Sequence, residues 1–425
     1  MGGFMEFLGT PTPFAPAVEG TIVVYQGATL LDGHGGPARP DATIVVDGAY
    51  LRLVTGEGIP AEFAAAERVD LGGAFVIPGL IDTHQHLATP PDRAVAEAVL
   101  RRQVRCGITA VRSMADDLRQ IGDLARATLV GEIPGPDIHY AALMAGPGFF
   151  DDPRTWQVSR GAVPGTVPWM QAITEETDLP LAVAMARGTG ATAVKIYADL
   201  PAATVTAITA EAHRQGLQVW AHGAVFPASP AEVVDAGVDV VSHVTLLAHE
   251  ASADLAGATY KHKPPIDFAR FADGTDPVMA ALFARMRERG TLLDATAALW
   301  AVLDGDHARS GLAAALTRQA HRAGVEICTG TDHETGAGER FPALLDELFF
   351  LAHECGIPAA QVLRSATLVG AMSMGAADVM GTVEAGKLAN FAILDQDPAA
   401  DLAALRTIFC TVKRGRRHPT AQGRT

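Results

Sequence analysis

The sequence predicts an α/β protein, a (β/α)8 TIM-like barrel carrying a small composite β-sandwich domain made from the N- and C-terminal segments. Three observations predict it. From residue 75 to about 365, short apolar runs alternate with Ala-rich helical stretches, the pattern of parallel βαβ units. There are eight such runs, the number that closes a barrel. Both ends of the chain instead carry β-branched runs punctuated by Gly turns. A length of 425 residues, 48% of them hydrophobic, suffices for one large core and a smaller companion.

In chain order, Thr21-Ile22-Val23-Val24-Tyr25 and Thr43-Ile44-Val45-Val46 read as strands, with turns at Asp32-Gly33 and Asp47-Gly48. The eight barrel strands are expected at 75–82, 108–113, 137–142, 193–197, 218–222, 239–243, 292–295 and 326–331. β character returns in 381–386, 390–394 and 407–413. The division is therefore 1–74 with 375–425 for the composite domain and 75–374 for the barrel. The basic stretch 413–425 reads as a solvated terminus. Residues 146–168, rich in Gly, Pro and aromatics, follow the third strand. They are either a substrate loop or an ordinary surface loop.

Composition narrows the function. Against 48 Asp and Glu stand 33 Lys and Arg, a formal net charge of -15 that repels nucleic acid and anionic lipid. No apolar stretch is long enough to span a membrane and no secretory leader is evident, so the expectation is a cytoplasmic protein acting on a small-molecule substrate. The four cysteines, Cys106, Cys328, Cys355 and Cys410, are far apart, which suits neither a disulfide framework nor a thiolate metal site. The sequence leaves room for a homo-oligomer without assigning a surface to it.

The chemistry concentrates at strand ends. His84 and His86, two apart at the end of the first strand, point the same way, as a shared metal requires. Lys195 lies inside the apolar run Ala193-Val194-Lys195-Ile196-Tyr197, where an unpaired ammonium is costly. His222 ends the fifth strand, His243 the sixth, and Asp332 follows the eighth. Singly, each has a plainer reading: core histidines, a helix N-cap, a salt-bridged lysine. Together they fall at the one face of a barrel where strand ends converge.

The stretch Pro78-Gly79-Leu80-Ile81-Asp82-Thr83-His84-Gln85-His86, the strand lysine, the two later histidines, the Gly330-Thr331-Asp332 turn and the closing 381–390 stretch together resemble the amidohydrolase superfamily. The layout is similar to its imidazolonepropionase-like and Xaa-Pro dipeptidase-like members. The resemblance implies two divalent metal ions, zinc by default with manganese, iron or cobalt also suited. His84, His86 and Asp332 would hold the first and His222 and His243 the second, with Lys195 bridging as a carbamate made with carbon dioxide. It implies hydrolysis of a C–N amide bond in a linear amide, N-acyl amino acid or dipeptide. The nucleophile would be a hydroxide held between the metals, with Asp332 as ligand and general base. A cyclic amidase and a lactonase- or phosphotriesterase-type esterase share these ligands, and a non-catalytic scaffold is the remaining alternative. Two positions depart from the pattern: Ala198-Asp199-Leu200-Pro201 replaces a Gly-rich turn associated with the dipeptidases, and Asn390 stands where an Asp is usual.

Substrate contacts are expected from residues after the strands. Tyr197, two beyond Lys195, either donates to an oxyanion or packs inward as an aromatic. Arg112 either grips a substrate carboxylate or pairs with Asp116 or Asp117. His139, Tyr140 and Thr296 complete the substrate-binding candidates, and His333 and Glu334 are expected behind the ligands.

Overall fold

The computed structural model of the chain describes residues 21–89, 91–303, 307–336 and 338–420. Its first sheet is mixed and draws on both ends of the chain. The N-terminal part supplies β1 (Ile22–Leu30), β2 (Arg39–Asp47), β3 (Tyr50–Thr55), β4 (Glu67–Asp70) and β5 (Phe75–Pro78). The barrel strands follow as β6 (Leu80–Gln85), β7 (Ile108–Ser113), β8 (Asp137–Ala145), β11 (Ala193–Ile196), β12 (Gln218–His222), β13 (Val240–Ser242), β14 (Leu292–Asp294) and β15 (Ile327–Cys328). Between β8 and β11 lie the short β9 (Thr166–Val167) and β10 (Met170–Ala172), with β10 extending the C-terminal end of β8. The C-terminal part returns β16 (Phe391–Leu394), β17 (Ile408–Lys413) and β18 (Arg416–Pro419) to the first sheet, where β16 pairs with β5.

The eight barrel strands are parallel in chain order, and β6 meets β15 to close the ring. Thr83 N donates to Thr329 O at 2.8 Å and Asp332 N to His84 O at 2.9 Å. The two-residue period of each strand divides its side chains. Val111, Val194, Val219, Val241, Leu293 and Ile327 face outward into the helical layer and form the main core. Ala141, Ala193, Trp220, Val240, Leu292 and Cys328 fill the barrel interior. One layer nearer the mouth the inward positions turn polar: Arg112, Lys195, His222, Ser242 and Asp294, all buried. Helices enter with side-chain caps at Asp92, Asp117, Asp178, Ser229 and Asp276, each satisfying amide donors of a first turn.

Three expectations need correction. The first run, 75–82, is two strands in two sheets: β5 belongs to the mixed sheet and β6 to the barrel. The chain switches at Gly79, whose N–H bonds Asn390 O at 3.0 Å. A Cβ at Gly79 would stand 2.0 Å from Thr109 Oγ1, so only glycine permits this close approach. Residues 381–386 form no strand; they follow the sheet edge through isolated bonds such as Gly386 N to Leu51 O at 2.7 Å. The basic segment from Lys413 is no solvated terminus as far as Thr420. Lys413 Nζ pairs with Asp137 Oδ1 at 2.7 Å and donates to Thr128 O at 2.9 Å, Arg414 reaches Asp137 Oδ2 at 2.8 Å, and β18 is strand. Residues 421–425 lie outside the described residues, as do 1–20. The four cysteines are free thiols, and among the described residues no helix is long and apolar enough to cross a membrane.

Candidate metal centre

The six predicted ligands meet at the C-terminal mouth, carried by β6, β11, β12, β13 and β15 or the residues just after them. Metal-ligating atoms of His84, His243 and Asp332 lie within 4.8 Å of one another. Asp332 is the hub: Oδ1 is 3.1 Å from His86 Nε2 and 3.5 Å from His84 Nε2, and Oδ2 is 3.7 Å from His243 Nδ1. His222 extends the cluster, its ring centroid 4.8 Å from that of His243. Lys195 approaches from β11 and donates to Ser242 Oγ at 3.1 Å. The backbone is bent to aim these groups: His243 has φ 70° and Asp332 φ 56°, left-handed values uncommon outside glycine. Gly330 serves the same packing, since a Cβ there would lie 2.0 Å from Asp294 Oδ1 and 2.6 Å from His84 Cβ.

The charge states suit cation binding. Burial, reinforced by Lys195 and His243, holds the His222 imidazole well below its ordinary range. Burial also drives His243 down to about 3 against the pull of Asp332. Both rings are therefore neutral, the form that ligates a metal. Burial pushes the Asp332 carboxyl up, but His84, His86 and His243 outweigh it and keep it ionised, below the usual carboxylate range. Burial lowers the Lys195 amine to about 7, opposed by Asp294. His86 Nδ1 and His222 Nδ1 are buried without a hydrogen-bond partner. Four imidazoles and a carboxylate, two of the rings with an orphaned nitrogen, fit divalent metals of the zinc type.

A residue that the sequence reading missed organises this cluster. Asp294, fully buried at the end of β14, accepts from His84 Nδ1 at 2.7 Å, Ser242 Oγ at 2.9 Å, Thr83 Oγ1 at 3.0 Å and Arg112 Nη2 at 3.1 Å. It fixes the His84 tautomer so that Nε2 faces Asp332, and through Ser242 it reaches Lys195. The signal was present: an acid closing the apolar run Leu292-Leu293-Asp294 is the same kind of strand-end anomaly as Lys195. Asp116 acts nearby, accepting from Leu87 N at 3.0 Å and Ala88 N at 3.2 Å in the loop that carries His86, whose Nδ1 is 3.9 Å away.

Of the substrate candidates, Tyr197 is at the mouth, its ring centroid 3.9 Å from that of His222. Burial keeps its hydroxyl protonated well above the ordinary range, with the neighbouring Tyr260 adding to the effect. Arg112 holds no substrate. It is fully buried, donates from Nε to Thr83 O at 2.6 Å and from Nη1 to Ser373 O at 3.2 Å, pairs with Asp294 rather than Asp116 or Asp117, and stacks 4.5 Å over the Trp220 ring. His139 faces inward four residues before Leu143, the cavity-lining residue of β8, and thus about 13 Å deeper. Its charged neighbours there are Asp137, Arg414 and Arg112, which stands opposite it on β7. Tyr140, the next residue, necessarily faces outward, packing in the helical layer with its hydroxyl donating to Thr189 O at 3.2 Å. Thr296 is buried, with Oγ1 3.0 Å from His243 Nδ1, so it orients a candidate ligand. His333 and Glu334 stand behind the ligands, Glu334 bonded to Arg102 and Gln103.

A cavity of about 400 Å³ opens onto this cluster, lined by His86, His222, His243, Asp332 and Tyr197 on one side. Phe149, Arg154, Tyr260, Lys263 and Trp300 supply much of the rest. The 146–168 segment thus contributes cavity wall, through Phe149, Asp152, Arg154, Thr155 and Val158.

Comparison with known proteins agrees with this geometry. Over 64 residues, 14% of this chain, it is 45% identical to the imidazolonepropionase of Paraburkholderia phymatum, a stretch spanning only 16% of that relative. It is 25% identical over 427 residues to the imidazolonepropionase of Cupriavidus necator, covering 95% of this chain and 96% of that one. Among solved structures, that of a Xaa-Pro dipeptidase with bound methionine in the active site superposes with a TM-score of 0.73 at 21% identity. That match covers 94% of this chain and 100% of the other, a likeness of fold. The amidohydrolase family model matches residues 75–417, from the last strand before the barrel to the C-terminal hairpin, and the chain belongs to the amidohydrolase family.

Proposed function

We propose that this chain is a metal-dependent hydrolase cleaving the C–N bond of a small amide, with a linear amide as the preferred substrate. One observation carries the reading: ligands from five strands converge beside a 400 Å³ cavity, with Asp332 at their centre. His84, His86 and Asp332 would hold one divalent ion and His222 and His243 a second, with carboxylated Lys195 between them. Lys195 supports that modification because it is buried and forms no ion pair among the described residues, and its neutral amine is the form that combines with carbon dioxide. Such metals lower the pKa of water and polarise a carbonyl.

The chain's own residues supply the remainder. Asp332, ionised beside the histidines, accepts the proton of the attacking water and returns it to the departing nitrogen. Tyr197, held protonated, donates to the oxygen that gains charge. Phe149, Tyr260 and Trp300 wall the substrate and limit water around the scissile bond. A cyclic amide is the second reading, favoured by the compact aromatic wall of the cavity.

The test is turnover of a panel of linear amides, cyclic amides, lactones and phosphotriesters by zinc- or manganese-loaded protein in bicarbonate, with Lys195→Ala alongside. Linear amide hydrolysis falling by about 10²-fold or more in the variant, together with lower metal content per chain, is expected. Hydrolysis of rings or esters alone would reassign the substrate, and activity indifferent to Lys195 would remove the metal reading.

A further inference from the structure

The far wall of the cavity carries a lysine that no carboxylate pairs with among the described residues. Lys263, in the long loop between β13 and β14, lines the same cavity as His86, His222, His243 and Asp332. Its ammonium lies 3.8 Å from the centroid of the Tyr260 ring, and among the described residues no carboxylate pairs with it. The ring face stabilises the cation, yet the three N–H donors remain available. Arg154, the other cavity cation, is already engaged: its Nε and Nη2 clasp Asp152 at 3.1 and 2.8 Å.

The loop is anchored rather than loose. Tyr260 N donates to Asp199 Oδ1 at 2.7 Å, and Asp199 sits just beyond β11 with φ 58°. Asp199 belongs to the Ala198-Asp199-Leu200-Pro201 turn that departs from the dipeptidase pattern, so this departure places Tyr260, and with it Lys263, at the mouth. Tyr260 also stands 5.5 Å from Tyr197, between the cation and the metal ligands, by ring centroids. On a chain with a formal net charge of -15, a cation held at the mouth of an aromatic cavity is the feature that can draw in and orient an anion.

We propose that Lys263 recognises a carboxylate on the substrate, placed beyond the scissile amide and docked against the Tyr260 face. The substrate class is then an N-acylated amino acid or a similar amide acid. The inference rests on the amide-hydrolase reading, deepens it, and is tested so that the two can fail separately.

N-acetyl-L-phenylalanine and N-acetyl-L-phenylalaninol share the scissile bond and differ in the carboxylate. The wild-type protein is expected to prefer the acid in kcat/KM by roughly tenfold or more, the scale of one charge-assisted hydrogen bond. That ratio falls towards one in Lys263→Met, returns in Lys263→Arg, and weakens with salt. An unchanged ratio in Lys263→Met overturns the inference. Should the wild type hydrolyse neither compound, the amide-hydrolase reading fails. Lys263 is then judged by calorimetry with L-phenylalanine and L-phenylalaninol, which carry no amide. Tighter binding of L-phenylalanine that Lys263→Met abolishes supports the inference. No binding, or a Kd indifferent to the substitution, overturns it.

Discussion

Asp294 shows how much of a candidate metal site lies outside its candidate ligands. One buried carboxylate accepts hydrogen bonds from Thr83, His84, Arg112 and Ser242. Burial alone would raise its pKa, but His84, Arg112 and Lys195 hold it ionised, below the usual range. Asp294→Asn keeps the shape and removes the charge. It leaves Arg112 buried without its counter-ion and frees the His84 tautomer. Metal affinity, measured by chelator competition, is expected to fall about 10- to 100-fold. Stability in urea should fall by about 3–5 kcal/mol, the cost of breaking a buried ion pair. Unchanged metal affinity would mean that His84 is oriented by packing alone. The same arithmetic explains why Arg112 serves the fold: a guanidinium with no exposed surface, three partners and an indole beneath it has nothing left for a substrate.

At the level of elements, the β17–β18 hairpin clamps the base of the barrel. Lys413 and Arg414 both pair with Asp137, the first residue of β8, joining the two sheets by charge as Gly79 joins them by chain. Burial would raise the Asp137 pKa above its ordinary 3.8, but Lys413 and Arg414 lower it below that value. A depressed folded pKa stabilises the native state above the unfolded value and loses that contribution as pH falls through the folded one. Asp137→Asn should therefore cost about 3–5 kcal/mol at pH 7. The gap from wild type, followed by urea denaturation, should narrow below pH 3.8. A gap constant with pH would show that the clamp acts through shape rather than charge.

For the whole molecule, the cluster links strands on opposite sides of the ring, so a metal held there stabilises the closed barrel as well as the reaction. Binding to the native state alone adds about 2.7 kcal/mol when free metal is 100 times Kd. Chelation is expected to lower Tm and abolish hydrolysis together, and re-addition of zinc or manganese with bicarbonate should restore both. Loss of activity with Tm unmoved would place the metal outside the strand cluster.

What the sequence determined by itself was whatever local periodicity encodes. Each of the eight barrel strands overlaps one of the expected runs of β-branched and apolar residues, β6 and β8 running three residues past theirs, because buried parallel strands favour that composition. The six ligand candidates were legible because each is a polar residue at or just past the end of an apolar run, and a barrel brings those ends together. Tertiary structure decided the rest, because the deciding partner lay far away in the chain. The 182 residues separating Arg112 from Asp294 hid the ion pair that removes the arginine from the substrate. His139 and Tyr140 could not both face the cavity, since neighbours on a strand point opposite ways, and only depth within the barrel showed that neither does. Gly79, between the two strands, must be glycine because Thr109 crowds it, a contact invisible to any pattern of hydrophobicity. Tyr260 and Lys263 lie in an irregular loop without periodicity, so their place beside the candidate ligands follows from the hydrogen bond to Asp199 and from the ring contacts of Tyr260 with Phe149, Tyr197 and His222.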